Sequence, residues 1–182
     1  MGSLAERHTR IRAGSRGTTR LTADVESIVP LFLRASWLTE RAQTAAYLRF
    51  TGPPGSGKTT AIEAIGLLCM RPFPTNSSAS NAFLFRKMGM LGVHTLIYDE
   101  AEHDRHSESQ REFVRILKSG FKRGGTVDRT DPVQVGDIKE YLPGSHDVFG
   151  PKLIAAITHV PDAALDARRL PANMAKSNQV PC

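Results

Sequence analysis

Residues 52–60 read Gly52-Pro53-Pro54-Gly55-Ser56-Gly57-Lys58-Thr59-Thr60. Gly52, Gly57, Lys58 and Thr59 satisfy the spacing G-x-x-x-x-G-K-[ST], a phosphate-binding loop. Glycines let the backbone turn sharply and approach anionic oxygens with no Cβ in the way. Successive N–H groups then form a concave nest beside the positive end of the following helix. A lysine at position 58 reaches the β- and γ-phosphates of a nucleotide, and the Thr59 hydroxyl can ligate magnesium. The expected nucleotide-binding set is the whole run from Gly52 to Thr60, with Lys58 also acting in catalysis.

Leu96-Ile97-Tyr98-Asp99-Glu100 is a short apolar run ending in two carboxylates. By itself it also fits a strand ending in a solvated acidic turn. Following a phosphate-binding loop in an alternating layout, it gains a chemical reading. Asp99 would hold Mg²⁺ together with Thr59, and Glu100 would polarise an attacking water. Thr158 closes a later apolar run, Lys152 to Thr158. It is either a further hydrogen-bonding group at the carboxyl end of a strand or an ordinary strand-ending threonine. Arg168 and Arg169 precede the last expected strand. They are read either as a surface pair or as a guanidinium that stabilises phosphoryl charge from a neighbouring subunit. Glu102, His103, Asp104 and His106 crowd one loop. A polar loop is preferred there over a metal set.

These groups need elements to hold them. Ala46 to Phe50 is an apolar run before the loop, which fits a buried strand. Thr59 to Met70 reads as a helix, with Ile62, Ile65, Leu68 and Cys69 on one face. Pro72 and Pro74 are expected to end it and open a loop. Ser80 is a candidate cap for a helix carrying Phe83, Leu84 and Met88, with Gly89 near its end. Thr95 to Tyr98 is a second strand. Ser107 and Gln110 form a capping box for a helix closed by Gly120. Residues 124–150 hold Gly, Pro and Asp between Val-rich fragments, and read as a loop or short hairpin. Lys152 to Thr158 is a third strand, Asp162 to Arg169 a short helix, and Leu170 to Met174 the start of one more strand. Upstream, Thr22 to Trp37 has Val25, Ile28, Val29 and Phe32 at helical spacing, with Pro30 able to kink or break it. Strands alternating with helices imply an α/β, three-layer fold on a mostly parallel sheet.

The 182-residue chain suffices for one domain with a real core. Its 40% apolar and 23% charged content is ordinary for a globular protein. No run approaches the length needed to span a bilayer, so no membrane role is expected. Cys69 and Cys182 lack metal-type or disulfide-framework spacing, which makes a cytoplasmic setting the default. Two thirds of the formal charge of +6 sits in the first 20 residues, where five arginines face Glu6 alone. Residues 1–21 therefore read as a disordered basic tail, either solvated or touching nucleic-acid phosphates. Residues 22–45 read as an N-terminal helical segment and 46–182 as the catalytic core.

The motif order resembles the AAA+ branch of P-loop ATPases. There a Walker A loop, a Walker B Asp-Glu, a polar sensor after a later strand and an arginine finger before the final core strand follow one another, as do Gly52–Thr59, Asp99-Glu100, Thr158 and Arg168-Arg169 here. Further stretches resemble an ATPase family of phage, plasmid and mobile-element replication proteins found beside primase-type domains. They are Ala82-Phe83-Leu84-Phe85-Arg86, Ile116-Leu117-Lys118-Ser119-Gly120-Phe121 with Arg123-Gly124, Val148-Phe149-Gly150-Pro151-Lys152, and Pro161-Asp162 with Leu165 and Arg168. The resemblance implies ATP and Mg²⁺ as cofactors, a homo-oligomeric ring, and helicase-type or remodelling work on DNA. The chain departs from the pattern after Met174, where eight residues leave no room for the helical lid and its second sensor arginine. The alternative expectation is a truncated nucleotide-binding module with little turnover. A small-molecule phosphotransferase ranks last, because an Asp-Glu pair suits water activation better than transfer to a second substrate.

Overall fold

The computed structural model describes residues 23–99, 108–135, 138–156, 165 and 167–174. The expected basic tail, the Glu102 to His106 loop and the Ser107 cap lie outside them.

Helix α1 (Ala23–Leu38) runs through Pro30 without breaking. Burial of Val25, Val29 and Phe32 along one stripe offsets the single missing N–H. A 3-10 turn (Thr39–Arg41) follows, then β1 (Tyr47–Thr51) and α2 (Lys58–Gly66). Helix α2 is shorter than its sequence pattern suggests, and residues 67–71 are turn. The expected loop at Pro72 is instead strand β2 (Pro72–Asn76). It lies at the sheet edge, where a proline whose N–H would face outward costs no ladder bond. Helix α3 (Asn81–Leu91) starts at Ser80, whose Oγ accepts from the Phe83 amide at 3.2 Å, and ends at Gly92 with φ +64°. Strand β3 (Thr95–Asp99) and helix α4 (Glu108–Ser119) come next.

Of the loop or short hairpin expected over residues 124–150, the described residues form the hairpin, and a long one. They carry two ten-residue strands, β4 (Thr126–Val135) and β5 (Ile138–Asp147), paired antiparallel along their whole length. Both strands of a two-stranded ribbon are edges, so Pro132 and Pro143 fit where a central strand would reject them. Strand β6 (Lys152–Ala156) precedes β7 (Arg169–Asn173), which begins on Arg169 rather than after it.

Strands β2-β3-β6-β1-β7 form one parallel sheet in that order. Alternate side chains sort onto its two faces. Tyr47, Leu96, Tyr98 and Ile154 join α3 and α4 in one apolar cluster. Leu48, Phe50, Ile97, Leu153, Ala155 and Ala172 join α1 and α2 in the other. Helix α1 shares that second cluster with the loop helix α2, so the N-terminal helical segment and the core have one continuous interior. Gly66 brings α2 close to the sheet, because a Cβ there would collide with the Ile97 side chain.

Candidate active site at the carboxyl edge of the sheet

Parallel strands put all their carboxyl ends on one side, and ligands of open α/β sheets gather in the crevice there. Thr51, Asn76, Asp99 and Asn173 end β1, β2, β3 and β7 along that edge. Tyr98, Ile154 and Arg49 form one row across β3, β6 and β1. Asp99 is one step past that row and Gly52 three steps past it. Only β6 separates their strands, so at the usual strand spacing the carboxylate and the loop are about 10 Å apart across the edge.

The loop is built around its glycines. Gly55 and Gly57 have φ of +75° and +82°, the left-handed region that side chains disfavour. At Gly52 a Cβ would run into the Met174 carbonyl and the Ser56 hydroxyl. The chain then turns directly into α2. Gly57 is its N-cap and supplies no side-chain hydrogen bond, and no acidic residue lies in the first turn. The first intrahelical bond is Ala61 N–H to the Gly57 carbonyl, 3.0 Å. The amides of Lys58, Thr59 and Thr60 are thus the open N–H groups of a helix start, which favour an anion. Lys58 Nζ donates to the carbonyls of Gly52 at 2.8 Å and Pro53 at 3.0 Å, which holds its ammonium over the loop. Ser56 Oγ is buried in the loop with no hydrogen-bond partner among the described residues. Left-handed glycines, open amides, a lysine ammonium and an unsatisfied buried hydroxyl together fit a polyphosphate. Exposed Thr59 and half-buried Asp99 are the hard oxygen donors that suit magnesium.

The two expected arginines lie elsewhere. Arg169 pairs with Tyr47 at the amino end of the sheet, four residue steps below Thr51, or roughly 13 Å. It is buried, at 9% exposure. Arg168 Nη1 donates to the Lys118 carbonyl at 3.2 Å and its guanidinium stacks on Phe121. Neither reaches the loop of its own chain. Glu100 and Thr158 lie outside the described residues. No group of three metal-type side chains occurs among the described residues.

Three other arginines brace the frame. Arg123 donates to the carbonyls of Ala42, Thr39 and Glu40 and packs over Phe149. Arg86 and Arg129 fasten the hairpin to α3 and α4 through Asp131 and Glu112. Asn173 is a polar group of the site edge that no motif marks. Thr51 Oγ1 donates to its Oδ1 at 2.6 Å.

The fold is an α/β P-loop NTPase core on a mostly parallel sheet. No protein-family profile and no curated protein sequence matches the chain. Solved structures similar to it include RuvB of Thermotoga maritima, a Holliday junction branch migration motor. That match has 18% identity and a TM-score of 0.48, covering 85% of this chain and 45% of that one. A point mutant of the same protein matches at 16% identity and a TM-score of 0.47, covering 81% and 45%. The chain thus spans less than half the length of either. The fold class stands on the strand order and the loop geometry above.

No helix among the described residues is long and apolar enough to cross a membrane.

Proposed function

We propose that the chain is the core of a magnesium-dependent ATPase of the AAA+ type. The observation that carries this reading is the uncapped start of α2 behind a glycine-turned loop, at the same sheet edge as Asp99. In this reading the amides of Lys58, Thr59 and Thr60 and the Lys58 ammonium bind the phosphates. Thr59 and Asp99 hold the divalent ion. A magnesium ion held there would act as a Lewis acid towards the phosphate oxygens. Glu100 orients and polarises the water, and Thr158 hydrogen-bonds near the terminal phosphate.

Of the two arginines, Arg168 serves this reading only between subunits, since it sits at the far end of its own sheet, and buried Arg169 is closed to a neighbour. An isolated protomer therefore binds ATP but turns it over slowly, and an oligomer completes the site. Work on DNA is the finer part of the proposal. It rests on the sequence resemblance to replication ATPases.

Phosphate release by the purified chain tests the proposal, measured alone and with single- or double-stranded DNA beside mass by light scattering. ATP-dependent release that is lost in Glu100→Gln is expected. Binding without release under every condition would leave a nucleotide-binding module. Phosphate appearing on an acceptor nucleotide would mean a kinase.

A further inference from the structure

The order of strands gives the site a direction. Asp99, to which the proposed function assigns the metal, with the water-activating Glu100 next to it in sequence, is on the β3 side of β1, across β6. A triphosphate whose γ end points that way has its nucleoside on the other side of β1. The neighbour on that side is β7, the edge strand.

Strand β7 meets the loop at its last residues. Asn173 is in register with Thr51, and the Met174 amide donates to the Thr51 carbonyl at 2.7 Å. On either side of Asn173, Ala172 and Met174 turn inward and are buried with α1 and α2. Asn173 itself is exposed at the rim. Its side-chain oxygen accepts the Thr51 hydroxyl proton, which fixes the amide plane. The NH₂ end carries two further donors, and these have no partner among the described residues. A fixed amide with its donors presented beside a phosphate loop is suited to an acceptor on sugar or base.

Resting on the proposed nucleotide site, we propose that Asn173 is a nucleoside-positioning residue, held by Thr51 and donating to an acceptor on the ribose or the base. It does not touch the phosphates. The seam from Thr51 to Asn173 thus separates two tasks. The loop and Lys58 bind the tail, and the end of β7 reads what the tail is attached to.

Calorimetry with ATP, 2′-deoxy-ATP and inorganic tripolyphosphate, each with magnesium, tests this on the full chain. Asn173→Ala should weaken ATP binding by roughly fivefold to tenfold, the worth of one good hydrogen bond, and leave tripolyphosphate binding unchanged. Asn173→Ser, which keeps an oxygen for Thr51, should show the same selective loss. If the variant loses affinity for ATP but not for 2′-deoxy-ATP, relative to wild type, the contact is to the 2′-hydroxyl. Equal loss for both assigns it to the base or the rest of the sugar. Equal loss for ATP and tripolyphosphate would make Asn173 a brace of the loop and overturn the inference, as would no loss at all. Wild-type protein that binds neither compound would instead sink the nucleotide-site reading itself.

Discussion

A Cβ on Gly52 would run into the carbonyl of Met174, so the chain leaving the last strand packs closely beside the first residue of the phosphate loop. Any side chain at position 52 must displace backbone at that seam. Gly52→Ala should destabilise the fold by about 1–3 kcal/mol, the usual cost of overpacking a tight site. Thermal unfolding checks the size, and nucleotide titration should show binding weakened with it. A variant of unchanged stability would mean that the seam yields easily.

Lys58 has a different profile. Among the described residues its ammonium bonds only to loop carbonyls, so removing it should cost little stability. Lys58→Ala should weaken triphosphate binding about 10- to 100-fold, the scale of charge-assisted hydrogen bonds. Calorimetry against ATP and unfolding in its absence separate the two effects.

Lys152 makes stability depend on pH. It is fully buried, donates to the Val148 and Gly150 carbonyls at 3.0 and 2.9 Å, and lies over the Tyr47 ring. Burial pulls its pKa down to about 7, opposed by the Asp147 carboxylate. Above that pH the unfolded chain holds a proton that the folded chain has given up. Stability should therefore rise from about pH 7 towards pH 10. Burial lowers the pKa of His94 too, so below its ordinary value of 6.5 the same sign applies. The rise ends near pH 10, where burial keeps Tyr47 and Tyr98 protonated in the fold while the unfolded chain ionises. Denaturant titrations at pH 7, 8.5 and 10 check the slope, and Lys152→Met should remove most of it.

The hairpin is fastened at its middle. Arg86 donates through Nε and Nη2 to Asp131 Oδ1, and His146 Nε2 meets Asp131 Oδ2 at 2.7 Å. The Arg86 guanidinium first, and His146 with it, hold the Asp131 carboxyl below its usual range. Asp131 favours the folded contacts above its ordinary pKa of 3.8, and that contribution is lost as pH falls through its lower folded value. Arg86→Ala should speed amide exchange across β4 and β5 while leaving the central sheet protected. Exchange unchanged in the hairpin would mean that backbone pairing alone holds it.

How much of this was legible in the sequence differs by element. Strands β3 and β6 carry continuous apolar runs because both faces are covered, and β1 carries one broken only by Arg49, so they stand out. The loop showed itself through glycine and lysine spacing. Strand β2 did not, since Pro72 and Pro74 read as breakers and only its edge position permits them. The length of the hairpin was hidden by Pro132, Pro143 and Gly144, which interrupt any alternation but pair with Tyr141, Thr130 and Arg129 across the ribbon. Lys152 looked like a polar start to a strand. Nothing local says that its stem and ammonium are enclosed. Asn173 belongs to no motif, and only the register of β7 against β1 brings it to the loop.

In the proposed site Asp99 and the loop at Lys58 share one metal–triphosphate. ATP affinity measured with magnesium and with a chelator, in wild type and in Asp99→Ala, decides whether they do. Magnesium should strengthen ATP binding to wild type, and most of that gain should vanish in Asp99→Ala while metal-free affinity persists. An equal magnesium gain in both proteins would place the ion away from Asp99 and rule out the shared site.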